Sequence, residues 1–127
     1  MEMTKDEYLK LADETLAEVL MLVTKKNNDY TAGTADPFNN FRLATMEGVT
    51  PETGLMIRVQ DKMQRIRTYI NSGSLLVTGE GYEDAIHDII GYMLILKGLL
   101  VEKEAIMGFQ RKEDPVKVMY HTPYSKR

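Results

Sequence analysis

A chain of 127 residues with 43% hydrophobic and 28% charged side chains has the balance of one globular domain, and it is too short for two independent cores. Its net charge of -3 argues against a general nucleic-acid binder while leaving room for a local basic pocket. With no cysteine and only His87 and His121, disulfides, thiolate metal sites and histidine-rich zinc sites are excluded, so a metal would be held by oxygen, as magnesium or manganese is.

The start, "MEMTKDEYLK", is charged and lacks an apolar secretory core, and no uncharged apolar run of about 18 residues is present to cross a membrane. A cytoplasmic protein with no membrane partner is expected. Thr4 and Glu7 have the spacing of a capping box. Tyr8, Leu11, Ala12, Leu16, Val19, Leu20 and Val23 then follow at intervals of three and four, predicting a first helix from Lys5 to about Asn27. "NNDYTAGTADPFNN" gathers Asn, Asp, Gly and Pro into a loop. A short helix from about Phe38 to Glu47, closing at Gly48, comes next.

Thr50 as N-cap and Pro51 at the first helical position open a second long helix that should reach about Asn71 and stop at "NSGS". Leu55, Val59, Ile66 and Ile70 form its apolar stripe, and Arg58, Asp61, Lys62 and Arg65 occupy another face. The third long helix begins near Gly79 or Glu80 and runs to about Met107. It is apolar nearly all round after Asp88, the pattern of a bundle centre or an oligomer contact. The expected fold is therefore all-α: a bundle of three long helices and one short one over residues 1–107, oligomeric, with a basic C-terminal arm over 108–127.

Three groups of residues carry candidate chemistry. Glu80, Asp84 and Asp88 fall at i, i+4 and i+8, each about 6 Å from the next along one helix face, which suits oxygen ligands for magnesium. Acids in a first turn also favour the helix dipole, which accounts for Glu80 and Asp84 without any ligand. Asp88 stands about two turns in, beyond that effect. In the second group, Asp61 and Arg65 make an ordinary i, i+4 pair. Beside a carboxylate row on a neighbouring helix, however, Arg58, Lys62 and Arg65 become cations for the oxygens of a polyphosphate. The third group is the loop after the first helix. Lys26, Asn27, Asp29 and Tyr30 offer donors and acceptors, and Phe38 and Phe41 offer faces for a base, though turn chemistry alone explains much of its composition.

Taken in order, "KNNDY", "DPFNNF", "RVQDKMQRI" and "EGYEDAIHDIIGYMLIL" resemble the blocks of the nucleotide modification associated domain 1 family, found largely in bacteriophages and prophages. The likeness spans about Lys26 to Leu96. Position by position it marks Asn27, Asp29, Tyr30, Arg58, Asp61, Lys62, Arg65, Glu80, Asp84, Asp88 and Tyr92. Thr31 stands where the family has Gly, and Gly81 where Ser commonly follows the Glu. That family is in turn similar to the all-α nucleoside triphosphate pyrophosphatases of the MazG and dimeric dUTPase group. Those enzymes bind magnesium with a Glu-x-x-Glu on one helix and a Glu-x-x-Asp on another. Here the second helix offers only Asp61.

The resemblance implies a phage-type, magnesium-dependent nucleoside triphosphate pyrophosphohydrolase acting in a bacterial host cell. Glu80, Asp84 and Asp88 would hold Mg2+ (or Mn2+), and Asp61 with Asp88 would serve catalysis. Lys26, Asn27, Asp29, Tyr30, Phe38, Phe41, Arg58, Lys62, Arg65 and Tyr92 would bind the nucleotide. The aliphatic third helix, with Met93, Leu94, Leu96 and Leu99, would be buried in a homodimer or homotetramer. The alternative is a non-catalytic nucleotide-binding protein that sequesters a nucleotide signal used in antiphage defence, which the reduced carboxylate count leaves intact.

Overall fold

The computed structural model describes residues 2–30 (Tyr30 through its backbone alone), 35–43, 48–73 and 81–108. Four helices account for most of them: α1 (Lys5–Tyr30), α2 (Asn39–Arg42), α3 (Pro51–Ser72) and α4 (Tyr82–Ile106). No strand occurs among the described residues. Glu80, the Tyr30 side chain and the C-terminal arm from residue 109 lie outside them.

Local chemistry sets both ends of α3 and the start of α1. At the start of α1 the Glu7 N–H donates to Thr4 Oγ1 at 3.1 Å and the Thr4 N–H donates back to Glu7 Oε1 at 3.4 Å. This reciprocal pair satisfies two donors that a helix start leaves open. At α3 the Thr53 N–H donates to Thr50 Oγ1 at 3.2 Å, with Pro51 in the first turn. The helix closes on Gly73 at φ 75°, a left-handed cap that side chains disfavour. α1 runs three residues past its expected end, through Asn28 and Asp29 to Tyr30. The short helix is a single turn rather than the longer segment expected from Phe38 to Glu47, of which residues 44–47 are not described.

α3 and α4 form the main packing layer and run antiparallel: Lys62 meets Asp88, and seven residues further along α3 the Tyr69 ring stacks 4.6 Å from Tyr82. α1 lies on α4 and runs in its direction, since Glu18 meets His87 and Val23 meets Gly91. Gly91 permits that approach; a Cβ there would sit 3.3 Å from Val23 Cγ2. Val19, Phe41, Leu55, Val59, Ala85 and Leu99 are buried. Leu55 is fully covered, so its truncation to Ala would cost about 3 kcal/mol. The expected stripes are only partly used. Ile70 on α3 is 73% exposed, and on α1 only Val19 is buried while Tyr8, Leu11, Leu16 and Leu20 remain open. Among the described residues no helix is long and apolar enough to cross a membrane.

Candidate nucleotide site

Asp88 stands where three helices meet. Its position on α4, two turns from the helix start, turns the carboxylate toward α1 and α3 together. Lys26 Nζ approaches Oδ1 at 3.0 Å from α1, and Lys62 Nζ approaches Oδ2 at 2.9 Å from α3. The Asp88 side chain is 14% exposed, against 38% for Lys26 and 21% for Lys62. Burial pushes the Asp88 carboxyl up; the hydrogen bonds and charge of Lys62 and Lys26 outweigh it and hold the group below the ordinary carboxylate range. Thus the carboxylate in the apolar stretch is partnered by ammonium groups on both oxygens. The two ammonium groups, on different helices, share one carboxylate.

Beside this cluster, between α1 and α4, lies a small cavity of about 40 Å³. Leu22, Val23, Gly91 and Ile95 supply its apolar wall, while Lys26, Asn27, His87, Asp88 and Tyr92 supply its polar edge. His87 has Nε2 3.7 Å from Glu18 Oε2 and is 17% exposed at the side chain.

The structure thus brings together Lys26, Asn27, Lys62, Asp88 and Tyr92. Others of the expected set stand elsewhere. Asp61 is exposed on α3, and Asp29 is exposed at the end of α1. The Asp84 carboxylate accepts the Gly81 N–H at 3.0 Å, serving the open start of α4 where the glycine has no side chain to cap with. Phe41 is 3% exposed, and the Arg58 guanidinium lies 5.0 Å from its ring centre. Its ring therefore packs in the core under Arg58. Phe38 is engaged too: its ring tip fills the space a side chain at Gly98 would need, and Arg42 sits 5.5 Å over the ring. Arg65 is half-buried on α3.

The metal expectation rests on Glu80, Asp84 and Asp88. Among the described residues no three His, Asp or Glu side chains gather as a metal would need. Asp84 accepts the Gly81 N–H and Asp88 is held between two ammonium groups, while Glu80, the remaining member of the row, lies outside the described residues.

A second ionic cluster was not visible as a motif. Arg42 Nη1 and Nη2 each lie 2.7 Å from one carboxylate oxygen of Glu102, and the same guanidinium bonds both oxygens of Asp36 through Nε and Nη2. The Arg42 fork holds Glu102 well below the usual carboxylate range, and Arg42 together with the Phe38 N–H does the same for Asp36. His87 and the cavity wall were likewise missed as site residues. The Gly91 interruption of an apolar run was the available signal.

Comparison with known proteins returned no family model, curated protein or solved structure that matches the chain.

Proposed function

We propose that this protein binds a nucleotide, receiving its phosphates at Lys26 and Lys62 and resting part of its base or sugar against the cavity edge formed by Asn27, His87 and Tyr92. The observation that carries this reading is the pair of lysines from different helices converging on one carboxylate at the rim of an apolar pocket. Two ammonium groups beside a low-dielectric wall attract an anion strongly. Asp88 serves as the resident counter-ion: it fixes both side chains in place, so less rotamer entropy is lost when a phosphate arrives. The ordered likeness of four sequence blocks to the nucleotide modification associated domain 1 family supports the same ligand class, and membership of that family belongs to the proposal.

Binding without turnover is the reading this arrangement favours. Magnesium-dependent hydrolysis between the α and β phosphates would draw on the Asp84 and Asp88 row, and it would require Asp88 to give up its two lysines for a metal. Calorimetric titration with nucleoside triphosphates, deoxynucleoside triphosphates and cyclic dinucleotides, each with magnesium or with EDTA, decides between the two. Retention of intact ligand, insensitive to EDTA and weakened about tenfold or more by Lys62→Met, is the expected result. Magnesium-dependent release of pyrophosphate, abolished by Asp88→Asn, would replace binding by catalysis. No heat and no turnover with any member of the panel would remove both readings.

A further inference from the structure

Glu18, Leu22 and Lys26 follow one another at i, i+4 and i+8 on α1, so they form a row along one face, about 12 Å from end to end by helical rise. The whole row meets α4 or the cavity. Glu18 Oε2 lies 3.7 Å from His87 Nε2, Leu22 belongs to the cavity wall, and Lys26 Nζ bonds Asp88 Oδ1 at 3.0 Å. His87 and Asp88 are consecutive on α4 while their α1 partners stand at positions 18 and 26, and both line the same cavity. A carboxylate, an apolar step and an ammonium group are thus offered in turn. The carboxylate end is accessible: Glu18 is 65% exposed at the side chain, and 3.7 Å is too long for a hydrogen bond to hold it on His87.

We infer that Glu18 gives the nucleotide site proposed above, on which this inference rests, a preference for guanine. A nucleotide with its phosphates at Lys26 and Lys62 and its base against Leu22 lies along the row, and the far edge of the base reaches Glu18. An ionised carboxylate only accepts hydrogen bonds, and it accepts best from two parallel N–H groups, as it does from a guanidinium. Guanine carries such a pair in its ring N1–H and its 2-amino group. Adenine and cytosine set one amino group beside a ring nitrogen that accepts, and uracil sets one N–H between two carbonyl oxygens. Each of these turns at least one acceptor on the carboxylate. Hypoxanthine keeps the N1–H and lacks the amino group, so inosine differs from guanosine in that one donor alone.

Calorimetric titration of the full-length protein with guanosine, inosine, adenosine and uridine triphosphates, and with inorganic tripolyphosphate, tests the preference. Guanosine triphosphate should bind about tenfold or more tighter than inosine triphosphate, with the adenosine and uridine compounds weaker than guanosine triphosphate as well. Glu18→Gln should bring guanosine and inosine triphosphates within about twofold of each other, because an amide turns a donor as well as an acceptor to the ring. The ratio is taken within one variant, so a change in overall affinity cancels. Equal affinities for guanosine and inosine triphosphates in the wild type would overturn the inference while leaving the nucleotide site in place. So would a guanosine preference that survives Glu18→Gln. Binding of tripolyphosphate alone, or of no compound in the series, would overturn the nucleotide reading and the guanine preference with it.

Discussion

The two buried-edge ionic clusters are opposites in composition. Lys26, Asp88 and Lys62 set one anion between two cations; Asp36, Arg42 and Glu102 set one cation between two anions. The chemistry of the central and outer groups decides what each can do. A guanidinium is a flat fork whose donors match carboxylates in pairs, so the Arg42 cluster locks α2 to α4 with directed bonds and has little left to offer a ligand. Ammonium groups are compact charges on flexible stems. In the proposed function Lys26 and Lys62 therefore each spend one N–H on Asp88 and turn their other donors to a phosphate. The Arg42 cluster is a fastener; in the proposed function the Lys26–Asp88–Lys62 cluster is a receptor with its counter-ion in place.

The fastener should break most severely through packing. A Cβ at Gly98 would lie 2.5 Å from Phe38 Cζ and 3.0 Å from Cε1. Gly98→Ala must push that ring aside, and Phe38 is tied by its N–H to Asp36 Oδ1 at 3.0 Å. A loss of about 2 kcal/mol in unfolding free energy is expected, and a urea titration measures it. Stability equal to wild type would show that the Phe38 contact holds nothing. Ligand affinity should not move, because Gly98 meets Phe38 about two turns beyond Gly91 along α4.

Next in size, two substitutions should dissociate the clusters. Lys62→Met should weaken nucleotide binding about tenfold or more, equivalent to about 1.4 kcal/mol. Arg42→Met should lower the melting temperature by a few degrees, since it leaves the Asp36 and Glu102 carboxylates without the cation that holds them together. It should leave binding intact. The comparison is wrong in kind if Arg42→Met reduces affinity as much as Lys62→Met does.

Acid separates the clusters less sharply. Asp88, Asp36 and Glu102 all have carboxyl groups held below their ordinary values. A group depressed on folding binds its proton more readily in the unfolded chain, so its stabilisation is complete above the ordinary carboxylate value and fades as pH falls through the folded one. Urea midpoints should therefore be flat near neutrality and decline in the acid range below about pH 4. Arg42→Met should flatten the part of that decline due to Asp36 and Glu102 and preserve the part due to Asp88. An unchanged profile would mean that Arg42 is not what depresses the two carboxylates.

These contrasts also show how far the sequence could be read. Caps and turns act over three or four residues, so Thr4 with Glu7, Thr50 with Pro51, and Gly73 mark helix ends in the chain itself. The overrun of α1 to Tyr30 reflects how weakly Asn and Asp stop a helix that is already propagating. Asp88, Lys26 and Lys62 were each legible as site residues. Their pairing was not, because it joins positions 62 and 26 residues apart. One local fact does explain where Asp61 went. Successive helical residues point about 100° apart, so once Lys62 turns to Asp88 its neighbour is carried out to solvent. A helix can aim one of those two at a given partner, and here it aims the cation.

The smallest expected effect supplies the baseline for both clusters. Lys10 and Glu14 form an i, i+4 pair on α1 at 3.9 Å, with side chains 79% and 57% exposed. Water and salt screen such a pair, and two long side chains lose freedom in forming it. Lys10→Met should shift unfolding by about 0.3 kcal/mol or less, and added salt should erase the difference. Lys62 makes the same type of charge pair with a partner that is 14% exposed, and its contribution should survive salt better for that reason. If both pairs proved equally weak and equally salt-sensitive, Asp88 would be solvated in practice, and the counter-ion role would lose its physical basis.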